Sequence, residues 1–153
     1  MPINRDFIGR SFPPGQPYEV SREKIREFAD AIGDQNPIYR DTEAAKALGH
    51  PDVIAPPTFP IVLSLRAGAG IISDPSLGLD YSRVVHGEQR FTYSRPVRVG
   101  DALVATPTII DIRDAGSNEL MTIRHDIKTA EGEQVCEAIN TIVSRGTASG
   151  QAS

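Results

Sequence analysis

The sequence predicts an α+β domain in which one antiparallel sheet curls around a long buried helix. Three observations predict it. Helical periods occupy the first half of the chain, four strand-like runs occupy the second, and one stretch, Thr58 to Ile72, is apolar on nearly every side. Helices first and strands afterwards define the class, and a helix too apolar for water has to be covered by the sheet.

Each element has a local cause. Ser21 can cap a helix whose apolar residues Ile25, Phe28, Ala29 and Ile32 fall on one face, and Gly33 ends it. A short second helix is predicted with Thr42 as cap, Glu43 in the first turn, Ala44, Ala45, Ala47 and Leu48 as its apolar run, and Gly49 as terminator. Pro56 and Pro57 fix the start of the third, Thr58 to Ile72. After Gly78 the period changes to two: Arg83 to Tyr93, Ala102 to Arg113, Glu119 to Thr129 and Gln134 to Val143 read as strands. Turn signals separate them at Gly100-Asp101, Gly116-Ser117-Asn118 and Gly132, so a meander is expected. The folded unit is predicted to span residues 1–145, and the low-complexity tail from Gly146 to Ser153 is expected to be disordered.

Composition narrows the function. At 153 residues and a formal charge of -4, the chain fits one domain and offers no Lys/Arg block to nucleic acid or an anionic membrane. The longest apolar stretch is interrupted by Pro60, Ser64 and Arg66, and no leader-like segment opens the chain, so a cytoplasmic protein is expected. Cys136 stands alone and reads as core filler. His50, His86 and His125 are too scattered for a metal site, and none is expected.

Two segments carry a family resemblance: GDQNPIY at Gly33–Tyr39, with Asp41, Ala45, Gly49, Ile54 and Ala55 following, and VVHGEQRFTYSRPVRVGDAL at Val84–Leu103. They resemble the MaoC-like, hydratase-2 group of dehydratases. The resemblance covers nearly the whole chain to Arg145 and implies a hot-dog fold. It implies reversible syn addition of water across an enoyl thioester, with no cofactor and an acyl-CoA or acyl-ACP as substrate. In that chemistry an aspartate and a histidine handle the water, and a backbone N–H at the head of the buried helix polarises the thioester carbonyl. The resemblance assigns the acid/base carboxylate to Asp34 and its orientation to Asn36. It sets Pro57 and Thr58 at the helix head, with His86 and Arg90 on the following strand, against the substrate.

The departures are specific. Tyr39 stands where the family has histidine, and a phenol of ordinary pKa ~10 is a poor base at neutral pH. Pro56 and Pro57 stand where the family has His-Gly, and proline has no N–H. A general base is typically worth roughly 10² to 10⁴ in rate and an oxyanion donor roughly 10² to 10³. Both losses together imply a degenerate site. The second segment is similar to the non-catalytic half of two-hot-dog hydratases and to the stand-alone substrate-binding subunit of heterodimeric (3R)-hydroxyacyl-ACP dehydratases. A heterodimer with a catalytic MaoC-like chain is therefore implied. Two rivals remain: a homodimeric hydratase using Asp34 with Tyr39 assisting, and an acyl-CoA-binding module without catalysis.

Plainer roles stand beside these. Asp34 and Asn36 suit a tight turn, Tyr39 suits packing, and His50 suits a helix C-terminus. By alternation His86 points opposite Phe91, in a structural hydrogen bond, and His125 is a satisfied core or dimer-contact histidine. The arginines Arg83, Arg90, Arg95 and Arg98 form either a solvated strand face or a dock for coenzyme A phosphates or acyl carrier protein.

Overall fold

A computed structural model describes residues 2–150. Its helices are α1 (Arg22–Ala31), α2 (Thr42–Ala47) and α3 (Ile61–Ile72), and its strands are β1 (Tyr18–Glu19), β2 (Val84–Tyr93), β3 (Ala102–Ala115), β4 (Asn118–Thr129) and β5 (Gln134–Ser144). The five strands form one antiparallel sheet in the order β1-β3-β4-β5-β2, packed on α3.

The helices start and stop where local chemistry directs. Ser21 Oγ accepts the Lys24 N–H, α1 buries Ile25 and Ala29, and Gly33 follows at φ +73°, a conformation that glycine adopts without strain. Ile32 does not join the apolar face; it is half exposed, because the helix ends there and the chain turns away. In α2 the cap is Asp41, whose Oδ1 accepts the Glu43 N–H, rather than Thr42. Thr42 instead donates its hydroxyl to Asp52.

α3 starts three residues later than predicted, at Ile61. Phe59 N–H donates to Pro56 O at 2.9 Å and Val62 N–H to Phe59 O at 3.0 Å, so Thr58–Pro60 form tight turns before the helical ladder begins. The helix is also not buried all round. Leu63, Gly68 and Ile71 face the sheet, while Leu65 is 64% exposed.

The strand spans match the period-two runs closely, but the meander is confined to β3-β4-β5. β2 crosses to the far side and pairs with β5 instead of β3. Its link to β3 is too long for a hairpin turn and runs across the sheet end, where Ser94 N–H meets Val135 O and Val99 N–H meets Val53 O. Arg95 locks this crossing by donating to Asp101 at 2.9 and 3.0 Å and to Glu133 at 2.8 Å. Within β2 the register slips between His86 and Glu88, leaving Gly87 as the extra residue. A Cβ on Gly87 would stand 3.0 Å from Val143 Cγ2 and 3.2 Å from Thr141 O, which is why glycine occupies the bulge.

Residues 146–149 correct the expectation of a frayed tail. Gly146 N–H donates to Asn118 Oδ1, Ala148 N–H to Ser117 O, and Ser149 Oγ to Asp114 Oδ2, with Thr147 and Ala148 buried. The β3–β4 turn supplies the partners that composition alone could not reveal. Residues 151–153 of the expected tail lie outside the described residues.

Candidate active site

The GDQNPIY segment forms a loop after α1 and a single 3-10 turn, Pro37–Tyr39. Asp34 Oδ1 accepts the Asn36 N–H at 3.0 Å, and Asn36 Oδ1 accepts the Ile38 N–H at 3.1 Å. Two consecutive side-chain-capped turns thus shape the loop. Arg40 ties it to α1, donating to Asp34 O at 2.7 Å and pairing with Asp30 at 2.6 Å. Asp34 and Asn36 therefore both serve the loop's geometry, and Asp34 keeps its second oxygen outside this turn.

This loop swings Tyr39 inward to 6% exposure. Tyr39 lines an apolar pocket of about 330 Å³ together with Ile38, Ile54, Ala55, Pro57, Tyr93 and Pro96. Burial first, and then the nearby Asp34 charge, push the Tyr39 phenol above its ordinary value, so it stays protonated at neutral pH. It can donate a hydrogen bond there, but it cannot act as a base.

At the head of α3, Pro56 is buried and Pro57 faces the pocket. Neither offers an N–H, and the Pro57 carbonyl accepts the Tyr93 hydroxyl at 2.5 Å. Burial foremost, with Cys136 and Tyr39 adding to it, raises the Tyr93 phenol well above its usual range. Cys136 behind it is itself raised to about 11 by burial and is an inert thiol. A phenol–carbonyl pair thus stands at the head of α3. The first amide beyond the prolines belongs to Thr58, which is exposed and, among the described residues, bonds to no carbonyl.

The structure brings Tyr39 and Pro57 into one pocket, with Asp34 close enough to Tyr39 to perturb it and Thr58 next along the chain. It does not bring His86 or Arg90 there. The Gly87 bulge resets the alternation, so His86, paired with Ile142, lies on the same face as Phe91, paired with Ala138; the expected opposition is reversed. His86 Nε2 meets Glu88 O at 3.1 Å, and the residue borders a separate groove between α3 and β2. Arg90 is exposed and pairs with Glu88 at 3.1 Å.

The arginine cluster is split in the same way. Arg83 pairs with Asp80, and Arg95 is held between the buried Asp101 and the exposed Glu133. His125 is buried to 1% exposure as expected, but only Nε2 finds a partner, Asn140 Oδ1 at 3.2 Å, and Nδ1 has none. Sequence reasoning missed Tyr93 and Pro96 as site residues, although both stand in the RFTYSRP segment that carries the resemblance. Among the described residues, no group of three His, Cys, Asp or Glu side chains converges to hold a metal ion, and no helix is long and apolar enough to cross a membrane.

A five-stranded antiparallel sheet curled on one central helix, with this pocket at the helix head, defines a hot-dog domain of the MaoC-like dehydratase class. The chain belongs to the FAS1-like dehydratase domain region family, whose pattern matches residues 6–138. It is 56% identical over 148 residues to a UPF0336 protein of Saccharopolyspora erythraea, covering 97% of this chain and 95% of the relative. It is also 53% identical over 150 residues to a UPF0336 protein of Streptomyces avermitilis, covering 98% and 100%.

Among solved structures it is similar to the C-terminally truncated HadBC complex of Mycobacterium tuberculosis, a (3R)-hydroxyacyl-ACP dehydratase. The TM-score is 0.81 at 29% identity, over 90% of this chain and 97% of that one. It is similar, too, to a MaoC-like dehydratase with TM-score 0.84 at 29% identity, over 94% of this chain and 43% of the longer one.

Proposed function

We propose that this chain is a substrate-binding, catalytically incomplete subunit of a (3R)-hydroxyacyl thioester dehydratase, seated side by side with a catalytic hot-dog chain. The observation that carries the reading is the head of α3, where two prolines replace N–H donors and Tyr93 caps the Pro57 carbonyl. A thioester oxygen gaining negative charge there would find no N–H on Pro56 or Pro57. Tyr39, protonated beside Asp34, cannot take up the proton that a histidine would. The substrate is an acyl-CoA or acyl-ACP, and no cofactor takes part.

The assembly face proposed is the outer edge of β2 together with the exposed side of α3. Among the described residues β2 ends the sheet with its far edge unpaired, and Leu65 and Tyr81 stand 64% and 68% exposed beside it. The similar HadBC structure is a complex, which favours a hetero-partner. Thr58 supports a second reading, a homodimeric hydratase using Asp34, since its free amide could polarise a carbonyl weakly.

Hydration of crotonyl-CoA separates the two. The purified chain alone should show no turnover above background, and adding a MaoC-like chain with an intact GDxNPxH motif should produce it. Clear turnover by the chain alone that disappears in Asp34→Ala would overturn the subunit reading.

A further inference from the structure

We infer that the recess between the Gly15–Tyr18 segment, α3 and β3 binds a small apolar carboxylate, whose anionic group pairs with Arg66 while its body lies on Leu63, Leu103 and Ala105. The recess has a volume of about 260 Å³ and lies on the flank of α3 that faces β3. Leu63, Arg66 and Ala67, spaced i, i+3 and i+4, form that flank, whereas Leu65 and Ile72 turn to the groove beside β2. It shares no lining residue with that groove or with the pocket at the helix head.

Its floor is apolar and fixed. Leu63, Leu103 and Ala105 are buried, the last two brought to one face by strand alternation, and Tyr18 is braced by Phe59 with ring centroids 6.4 Å apart. The outer wall is the Gly15-Gln16-Pro17 run, fastened to β3 where Gly15 N–H donates to Ala105 O at 3.4 Å.

One charge overlooks this floor. The Arg66 guanidinium sits over the Tyr18 ring, 5.1 Å from its centroid, and that ring is its only partner among the described residues. By contrast Arg22, Arg40, Arg90 and Arg95 each hold a carboxylate. A guanidinium held against a ring keeps N–H groups for a planar acceptor, which a carboxylate matches with both oxygens. No Asp, Glu, Lys or His lines the recess, so nothing inside it competes for Arg66 and nothing adds a second positive charge.

The class of ligand follows from that pairing. A neutral molecule gains nothing from Arg66, and a phosphate calls for more donors than one guanidinium and the Gln16 carboxamide provide. A single negative charge on an apolar body suits both the rim and the floor. The volume exceeds the roughly 150 Å³ cavity known to admit benzene, so a phenyl ring with a short side chain fits. The inference rests on these residues alone and not on the dehydratase reading.

The test titrates 3-phenylpropanoate and its neutral counterpart, 3-phenylpropanamide, into the full chain at low salt by calorimetry, with the Tyr18 ring protons followed by NMR. The carboxylate should bind about tenfold more tightly than the amide, as one charge-assisted pair in a partly open recess allows. It should also shift the Tyr18 resonances to saturation. R66Q should level the two affinities without moving the unfolding midpoint, since Arg66 is exposed. A67F keeps the guanidinium but fills the recess, so it should abolish measurable binding of both probes.

Equal affinities in the wild-type chain, unmoved Tyr18 resonances, or a preference that survives R66Q would each overturn the inference. So would undiminished binding by a folded A67F, or displacement of the carboxylate by an equal concentration of inorganic phosphate. The wild-type and R66Q titrations decide the matter even if A67F does not fold. None of these readouts involves a thioester, so failure here leaves the dehydratase reading standing, and failure of that reading leaves the recess standing.

Discussion

Single side chains decide what the candidate site can do. Tyr39→His supplies an imidazole but leaves the Pro57 carbonyl facing the pocket, so steady-state hydration of crotonyl-CoA should rise less than about tenfold, short of the roughly 10² to 10⁴ expected of a working base. Adding Pro57→Gly, which restores an N–H, should raise the rate beyond either single change. Full activity from Tyr39→His alone would show that the prolines are not the limiting defect.

His125 makes a separate prediction about pH. Its folded pKa is lowered from 6.5 to about 4 by burial, so the unfolded chain binds the proton first as pH falls. Its contribution is fully present above about pH 6.5, is lost progressively down to pH 4, and amounts to on the order of 3 kcal/mol across that window. Urea unfolding at pH 7 and pH 4.5 measures it, and the difference should shrink in H125F. Asp52, lowered to about 2 chiefly by its hydrogen bond from Arg22, acts in a different window: its contribution fades only as pH drops from 4 toward 2.

At the scale of elements, the site depends on where loops and strands change direction. Gly87 lets β2 bulge, and that bulge turns His86 to the face of Phe91. Gly87→Ala should cost about 1–3 kcal/mol, since Val143 Cγ2 and Thr141 O have to move away. Chemical denaturation measures the loss, and an unchanged midpoint would mean that the strand accommodates the methyl by slipping. Asp101→Ala removes the acceptor that holds Arg95 across the sheet end; breaking such a buried pair should cost about 3 kcal/mol. The crossing explains why β2 leaves the meander. Strand period is a local signal, but which edge a strand joins depends on bonds between residues far apart, such as Ser94 with Val135.

At the scale of the whole molecule the exposed face of α3 bears on assembly. Leu65 is exposed, so Leu65→Glu should leave the unfolding midpoint nearly unchanged while weakening association at least tenfold by analytical ultracentrifugation. Equal association by both proteins would remove α3 from the proposed assembly face.

The sequence by itself determined the fold class and the spans of α1 and the four long strands. Those signals are local: caps, glycine stops, period-two runs and a motif carried on contiguous residues such as Gly33 to Tyr39. It also marked Pro56 and Pro57 as offering no N–H, because a proline lacks its N–H in any fold. Only the tertiary structure decided that Tyr93 caps Pro57, that Asp34 spends one oxygen on its own loop, that β2 joins β5, and that His125 keeps an open nitrogen. Each of these depends on which atoms far apart in the chain come within about 3 Å of one another, and periodicity along a chain carries no record of that distance.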